Sequence, residues 1–163
     1  LVRVIRDYGE EKYANSIAKN IIKEREIRPI ETTLELVEII KRSMPARELR
    51  EGHPATKTFQ AIRIEVNDEI KPLYETVRKC IKHLKTGGRL AIITFHSLED
   101  RAVKNAYIEA KGKCICPKDL PYCVCGAKSE GKIINKKPII ATKEEQEENS
   151  RSKSAKLRIF EKN

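Results

Sequence analysis

Apolar positions in the first part of the chain recur at helical spacing. Between Leu1 and Glu26, Tyr13, Ile17 and Ile21 line one stripe, with Ala14, Ala18 and Ile22 beside it. Gly9 divides this stretch into two helices and Pro29 ends it. Thr32-Thr33-Leu34-Glu35 has the form of a capping box, in which the Thr32 hydroxyl accepts an early helical N–H and Glu35 reaches back. Leu36, Ile39 and Ile40 then give the buried face of a short helix stopped at Pro45. Residues 46–58 are polar and basic, contain Gly52 and Pro54, and read as a linker or domain boundary. The longest helical pattern follows, in Phe59, Ile62, Val66, Ile70, Leu73, Val77, Cys80 and Leu84. Pro72 inside it predicts a kink or two abutting helices. Cys80 is expected in the core, and Gly87-Gly88 caps the end.

The pattern then changes. Arg89-Leu90-Ala91-Ile92-Ile93-Thr94-Phe95 is a near-continuous apolar run, as expected of a strand covered on both faces. His96-Ser97-Leu98-Glu99-Asp100-Arg101 turns into another helix, with Ser97 in place to cap it. Helix, Gly-Gly, buried strand, turn and helix make a unit of an α/β sheet, and ligands of such sheets sit beyond the carboxyl ends of strands. A loop bearing Gly and Cys spans 111–131, and two weaker strands are expected near Lys132–Ala141 and Ala155–Glu161. Between them lie the acidic Glu144–Glu148 and the segment Asn149-Ser150-Arg151-Ser152-Lys153-Ser154.

Composition narrows the classes. The 163 residues are 39% hydrophobic and 36% charged, with no Trp. No apolar run approaches the ~18 residues of a membrane span, so no membrane is expected as partner. No charged-then-apolar leader opens the chain, which points to a cytoplasmic location. Thirty-four basic against 24 acidic residues leave a formal charge of +10, which favours a polyanionic partner, nucleic acid first. Leu1-Val2-Arg3-Val4-Ile5 reads as the middle of a helix, as in a fragment.

Three clusters could carry chemistry. His96, Ser97, Glu99, Asp100 and Arg101 stand at a strand end, where they could bind a substrate or support acid–base work; the plainer reading is a capped helix start. Ser97 is not a triad nucleophile by spacing, because no Gly-x-Ser-x-Gly elbow surrounds it. Cys114, Cys116, Cys123 and Cys125 pair two Cys-x-Cys units within a loop of 112–126. Four thiolates could hold a structural zinc tetrahedrally, the other readings being an oxidisable pair or plain loop thiols. Arg151, Lys153, Lys156 and Arg158, interleaved with Ser152 and Ser154, suit phosphate contacts or a solvated edge strand. Arg47, Arg50, His53 and Lys57 form a second basic patch. No Gly-x-Gly loop follows a strand, so the chain shows no cradle for a nucleotide or adenosyl group.

Four segments, in order, resemble one family. His53-Pro54-Ala55-Thr56-Lys57-Thr58-Phe59-Gln60-Ala61-Ile62-Arg63-Ile64 with Val66-Asn67-Asp68-Glu69, and Gly87-Gly88-Arg89 through Phe95-His96-Ser97-Leu98-Glu99-Asp100-Arg101, are similar to blocks of the bacterial 16S ribosomal RNA cytosine-N4 methyltransferases, the RsmH or MraW family. Lys137-Pro138 and Asn149-Ser150-Arg151-Ser152-Lys153-Ser154-Ala155-Lys156-Leu157-Arg158 resemble its C-terminal block, and Tyr8-Gly9-Glu10-Glu11-Lys12 with Ile17-Ala18-Lys19 its helical insertion. Ser150 stands where the family usually has Pro, and Lys153 where it usually has Arg.

The resemblance implies an α/β fold: the C-terminal part of a Rossmann-like class I methyltransferase sheet plus an α-helical insertion domain. Residues 1–52 would be part of the insertion and 53–163 part of the methyltransferase domain. It implies S-adenosylmethionine as methyl donor, bound mostly outside this chain, and 16S ribosomal RNA or the small ribosomal subunit as partner, together with a missing N-terminal half. His96, Ser97 and Asn149 would face the base, and Arg101, Arg151, Lys153 and Arg158 the RNA phosphates. The Cys loop occurs in only some members, which makes any metal there structural. Two other readings stand beside this one: a non-enzymatic RNA-binding module with a zinc-stapled loop, and a fragment that complements a separately encoded half.

Overall fold

The computed structural model describes residues 1–50, 53–112, 122 and 128–163. They divide into two compact units, Leu1–Glu69 and Ile70–Asn163.

The first unit is helical: α1 (Val2–Asp7), α2 (Ala14–Ile27), α3 (Thr33–Arg42) and α4 (Thr56–Asn67). Its core is built from Ile5, Ile17, Ile21, Ile39 and Ile40 with small alanines between them. The stripe predicted for α2 is the buried one, except that Ile22 is half exposed. The capping box at α3 forms as expected: the Glu35 N–H donates to Thr32 Oγ1 at 3.2 Å and the Thr32 N–H donates to Glu35 Oε2 at 3.0 Å. N–H groups of Glu31 and Thr32, then the Arg28 guanidinium, hold the Glu35 carboxyl down at about 2. α4 begins inside the stretch read as a linker and packs on α1, burying Thr58, Ala61 and Ile64. The compact division falls at 69/70, past the 46–58 stretch read from composition as a linker or domain boundary.

The long helical pattern is two helices, and the break is not at the proline. Asp68 takes a left-handed conformation (φ 47°) that ends α4, with its N–H on Glu65 O and the Glu69 N–H on Ile64 O. Pro72 lies in the first turn of α5 (Ile70–His83), where a missing N–H removes no helical bond. Cys80, expected in the core, is exposed; Val77 and Ile81 carry the buried face instead.

The second unit continues with β1 (Arg89–Thr94), α6 (Ser97–Ala110), β2 (Gly131–Ile133), β3 (Ile139–Ile140), α7 (Lys143–Glu148), a 3-10 turn (Ser150–Ser154) and β4 (Lys156–Lys162). The sheet is antiparallel in the order β1-β4-β2, with β3 also on β4. The weaker strand predicted over 132–141 is split into β2 and β3. Asn135 stands between them and serves β4 with its side chain, donating to Leu157 O at 2.9 Å and accepting from the Ile159 N–H at 2.7 Å. Gly131 is required where β2 meets β4: a Cβ there would lie 2.1 Å from Glu161 O and 2.6 Å from the Phe160 ring.

α5 and α6 cover one face of this sheet. Val77, Ile81, Val103, Ala106, Tyr107 and Phe160 form the core, with Leu90 and Ile92 against it. The Tyr107 and Phe160 rings lie 5.3 Å apart, and the Tyr107 hydroxyl donates to Leu90 O at 3.0 Å. The other face is not covered by the described residues, which corrects the expectation for β1. Its Arg89, Ala91 and Ile93 are exposed, Ile93 to 57%. β1 pairs only with β4, so its second edge is bare among the described residues.

Candidate functional site

The strand register decides which polar segments meet. Thr94, the last residue of β1, pairs with Lys156, the first of β4. The turn His96-Ser97 leaves β1 at that end, and the segment Asn149–Ala155 enters β4 there. Two of the clusters singled out in the sequence thus stand at one end of the sheet, beyond the carboxyl end of β1.

The helix start is capped by His96, not by Ser97. His96 Nδ1 accepts the Glu99 N–H at 3.3 Å, and Glu99 Oε2 accepts the N–H groups of Phe95 and His96 at 2.8 and 3.3 Å. Imidazole can fill the role because, with its proton on Nε2, it offers a lone pair at Nδ1. The His96 side chain is only 11% exposed; its Nε2 lies 3.4 Å from Glu99 Oε1 and makes no hydrogen bond. Ser97 is the first helical residue and is half-buried.

Asn149 caps the 3-10 turn before β4, its Oδ1 accepting the Arg151 N–H at 3.1 Å. That turn buries Ser152 and leaves Arg151 and Lys153 exposed. Arg101 is exposed on α6, one residue beyond Asp100. Ser152 Oγ is buried without a hydrogen bond.

Arg158, expected at a phosphate, does not stand among the exposed cations. Its Nε lies 2.6 Å and its Nη2 2.9 Å from the two carboxylate oxygens of Asp100, and the two side chains are 7% and 14% exposed. The Arg158 guanidinium holds the Asp100 carboxyl below its ordinary range, and Lys156 and Lys104 add to the effect. This fork pins the first turn of α6 to β4 and so fixes His96-Ser97 against the strand that follows Asn149. Sequence reasoning missed the clamp, although a signal existed. Arg158 and Phe160 alternate with Leu157 and Ile159, so Arg158 shares the helix-covered face with Phe160.

Cys114, Cys116, Cys123 and Cys125 lie outside the described residues. Among the described residues no group of His, Cys, Asp and Glu is arranged to hold a metal ion. No described helix is long and apolar enough to cross a membrane. The Gly87-Gly88 turn, with Gly87 at φ 75°, is committed to the fold: its N–H groups donate to Lys162 O and Lys85 O at 3.0 and 2.8 Å. It precedes β1 and has no free N–H to offer an anion.

Comparison with known proteins adds to this geometry. A model of the family described as "MraW methylase family" matches residues 1–163. The chain is 54% identical over 162 residues to a ribosomal RNA small subunit methyltransferase H of Carboxydothermus hydrogenoformans, 99% of this chain and 52% of that protein. It is 55% identical to the protein of the same name from Caldicellulosiruptor saccharolyticus and 54% to that of Clostridium botulinum (strain Loch Maree), with the same shares covered. The chain thus spans about half the length of the curated relatives it matches.

Proposed function

The chain belongs to the MraW methylase family, and on that premise we propose that it is the C-terminal part of a cytoplasmic methyltransferase that modifies the N4 amine of a cytosine in 16S ribosomal RNA. In this reading residues 1–52 belong to an α-helical insertion and 53–163 to the catalytic domain. The observation that carries it is the meeting of the His96-Ser97 turn with the Asn149–Ala155 segment at one sheet end, bordered by exposed cations.

Methylating an exocyclic amine requires the base to leave its stack and its Watson–Crick edge to be held by polar groups. Ser97 and Asn149 supply a hydroxyl and a primary amide for that edge. His96 is a positioning residue, since its Nδ1 caps α6 one residue before Ser97. Arg101, Arg151 and Lys153 hold RNA phosphates near the same end, which places the strand without reading sequence. Arg158 acts through Asp100 by holding that end rigid.

The described residues do not fit the methyl donor. The one glycine pair precedes its strand and has its N–H groups in use, so donor binding is assigned to the part of the protein that the relatives have and this chain does not span. The bare edge and open face of β1 support the same view, because a strand and a covering layer would complete them. The test is a methyl-transfer assay on undermethylated small ribosomal subunits with labelled S-adenosylmethionine. The chain is supplied alone, or with the remaining half of the Carboxydothermus relative as a separate polypeptide. N4-methylcytidine in digested RNA is expected only when both parts are present. A methylated base other than cytosine, or turnover by the chain alone, overturns the reading.

A further inference from the structure

A cavity of about 150 Å³ opens on the second unit between α6 and the β2–β3 turn. Its charged rim comes from Lys104 on α6, Lys111 at the C-cap of that helix, Lys136 in the turn, and Arg158 on β4. Its floor is apolar, made by Tyr107, Ile108 and Ile133. Lys104, Ile108 and the C-cap Lys111, which keeps helical backbone angles, are spaced to share one side of α6, so the cations flank the apolar residue instead of pointing away from one another.

Among the described residues the charge here is not neutralised. None of the lining residues is acidic. Asp100 occupies Arg158, and the three lysines are exposed with no ion pair among the described residues. Some cations elsewhere in this unit are matched: Lys132 and Arg89 share Glu161 at 2.8 and 2.7 Å, and Arg78 and Lys162 share Glu130 at 2.8 and 3.2 Å. Three unmatched cations around one hollow raise the local potential and concentrate anions there. The hollow lies below the roughly 300 Å³ at which small-molecule sites begin, so it suits a single anionic group and not a whole nucleotide.

We propose that this cavity is an RNA backbone phosphate site, held by Lys104, Lys111 and Lys136, with the adjoining sugar against Ile108. The proposal rests on the RNA-modifying reading above and extends the contact surface of the chain to the middle of α6. The site anchors the strand without reading its sequence.

The test compares the 163-residue chain with Lys104→Gln/Lys136→Gln and with a control of equal charge, Lys79→Gln/Lys82→Gln, whose lysines are exposed on α5 and line no part of the cavity. Anisotropy of a short labelled single-stranded RNA is titrated at several salt concentrations. The cavity variant is expected to bind about tenfold more weakly, the size of one hydrogen bond to a charged group. The slope of log K against log salt falls by about 0.7, the share of one phosphate on a single strand. The control keeps the parent slope. Lys136→Gln alone, in an exposed turn, moves in the same direction, so a folding defect in the double variant hides nothing. Equal losses in both double variants, or no loss in the cavity variant, overturn the proposal while leaving the methyltransferase reading intact. A parent that binds no RNA overturns both. Inorganic phosphate that raises the melting temperature of the parent only, with RNA affinity unchanged in the variant, assigns the cavity to a free anion and overturns the RNA site.

Discussion

The Asp100–Arg158 fork is the interaction on which the candidate site depends most. Replacing Asp100 by Ala leaves the Arg158 guanidinium buried beside Phe160 and Tyr107 without its carboxylate. Breaking one side of a buried pair costs about 3 kcal/mol, because the remaining charge is uncompensated. For a chain of this size each kcal/mol moves Tm by about 2–4 °C, so Asp100→Ala is expected to lower it by about 6–12 °C. The double variant Asp100→Ala/Arg158→Met removes both charges and keeps an apolar stem in the space, and it should recover most of that loss. The pair also makes stability depend on pH. The folded Asp100 carboxyl lies below its unfolded value near 3.9, so its contribution is complete above about pH 4 and is lost as pH falls through the folded value. Thermal melts from pH 3 to 7 of parent, singles and double measure all of this (the pH limits chosen to bracket about 3.9). A single variant within about 0.5 kcal/mol of the parent, or a double variant that loses the sum of both singles, refutes the clamp.

Further outcomes follow from other parts of the structure. His96→Ala should cost about 1 kcal/mol through loss of the cap and lower methyl transfer in the two-part assay, whereas His96→Asn, itself a good cap, should restore both; activity lost in both variants makes His96 more than a positioning residue. Thr32→Ala should destabilise the first unit by about 1 kcal/mol, read by urea melts. Glu35→Gln should flatten the acid limb of that unit, because a carboxyl held at about 2 contributes stability that disappears as pH drops from its unfolded value toward about 2. Gly131→Ala should give a chain with a disrupted β2–β4 pairing, seen as loss of amide protection in Ile133 and Phe160, since the clash is with backbone and a buried ring. Ile93→Lys should raise the solubility of the chain alone and abolish complementation by the remaining half, if the open sheet face is where that half packs.

Local chemistry was legible in the sequence wherever it is settled by neighbours within a turn or two. The α2 stripe, the Thr32–Glu35 capping box, the β1 run and the two late strands could be read because periodicity and caps involve residues three or four apart. The resemblance that placed the chain in its family came from the same short blocks. Other features could not be read this way. His96 took the cap from Ser97 because its Nδ1, and not the serine hydroxyl, reaches the Glu99 N–H. The break between α4 and α5 fell at Asp68 because a left-handed residue satisfies the helix end there, while Pro72 is harmless in a first turn. Arg158 left the phosphate-facing set because the antiparallel register carries it under α6, where Asp100 waits 58 positions away in sequence. Strand β1, apolar enough for burial on both sides, shows one side open because coverage depends on what packs against the sheet and not on the strand itself. Sequence alone fixed the spacing of charges and apolar groups along each element; only the tertiary structure decided which charges meet, since pairing across a sheet or under a helix is set by register and packing between distant segments.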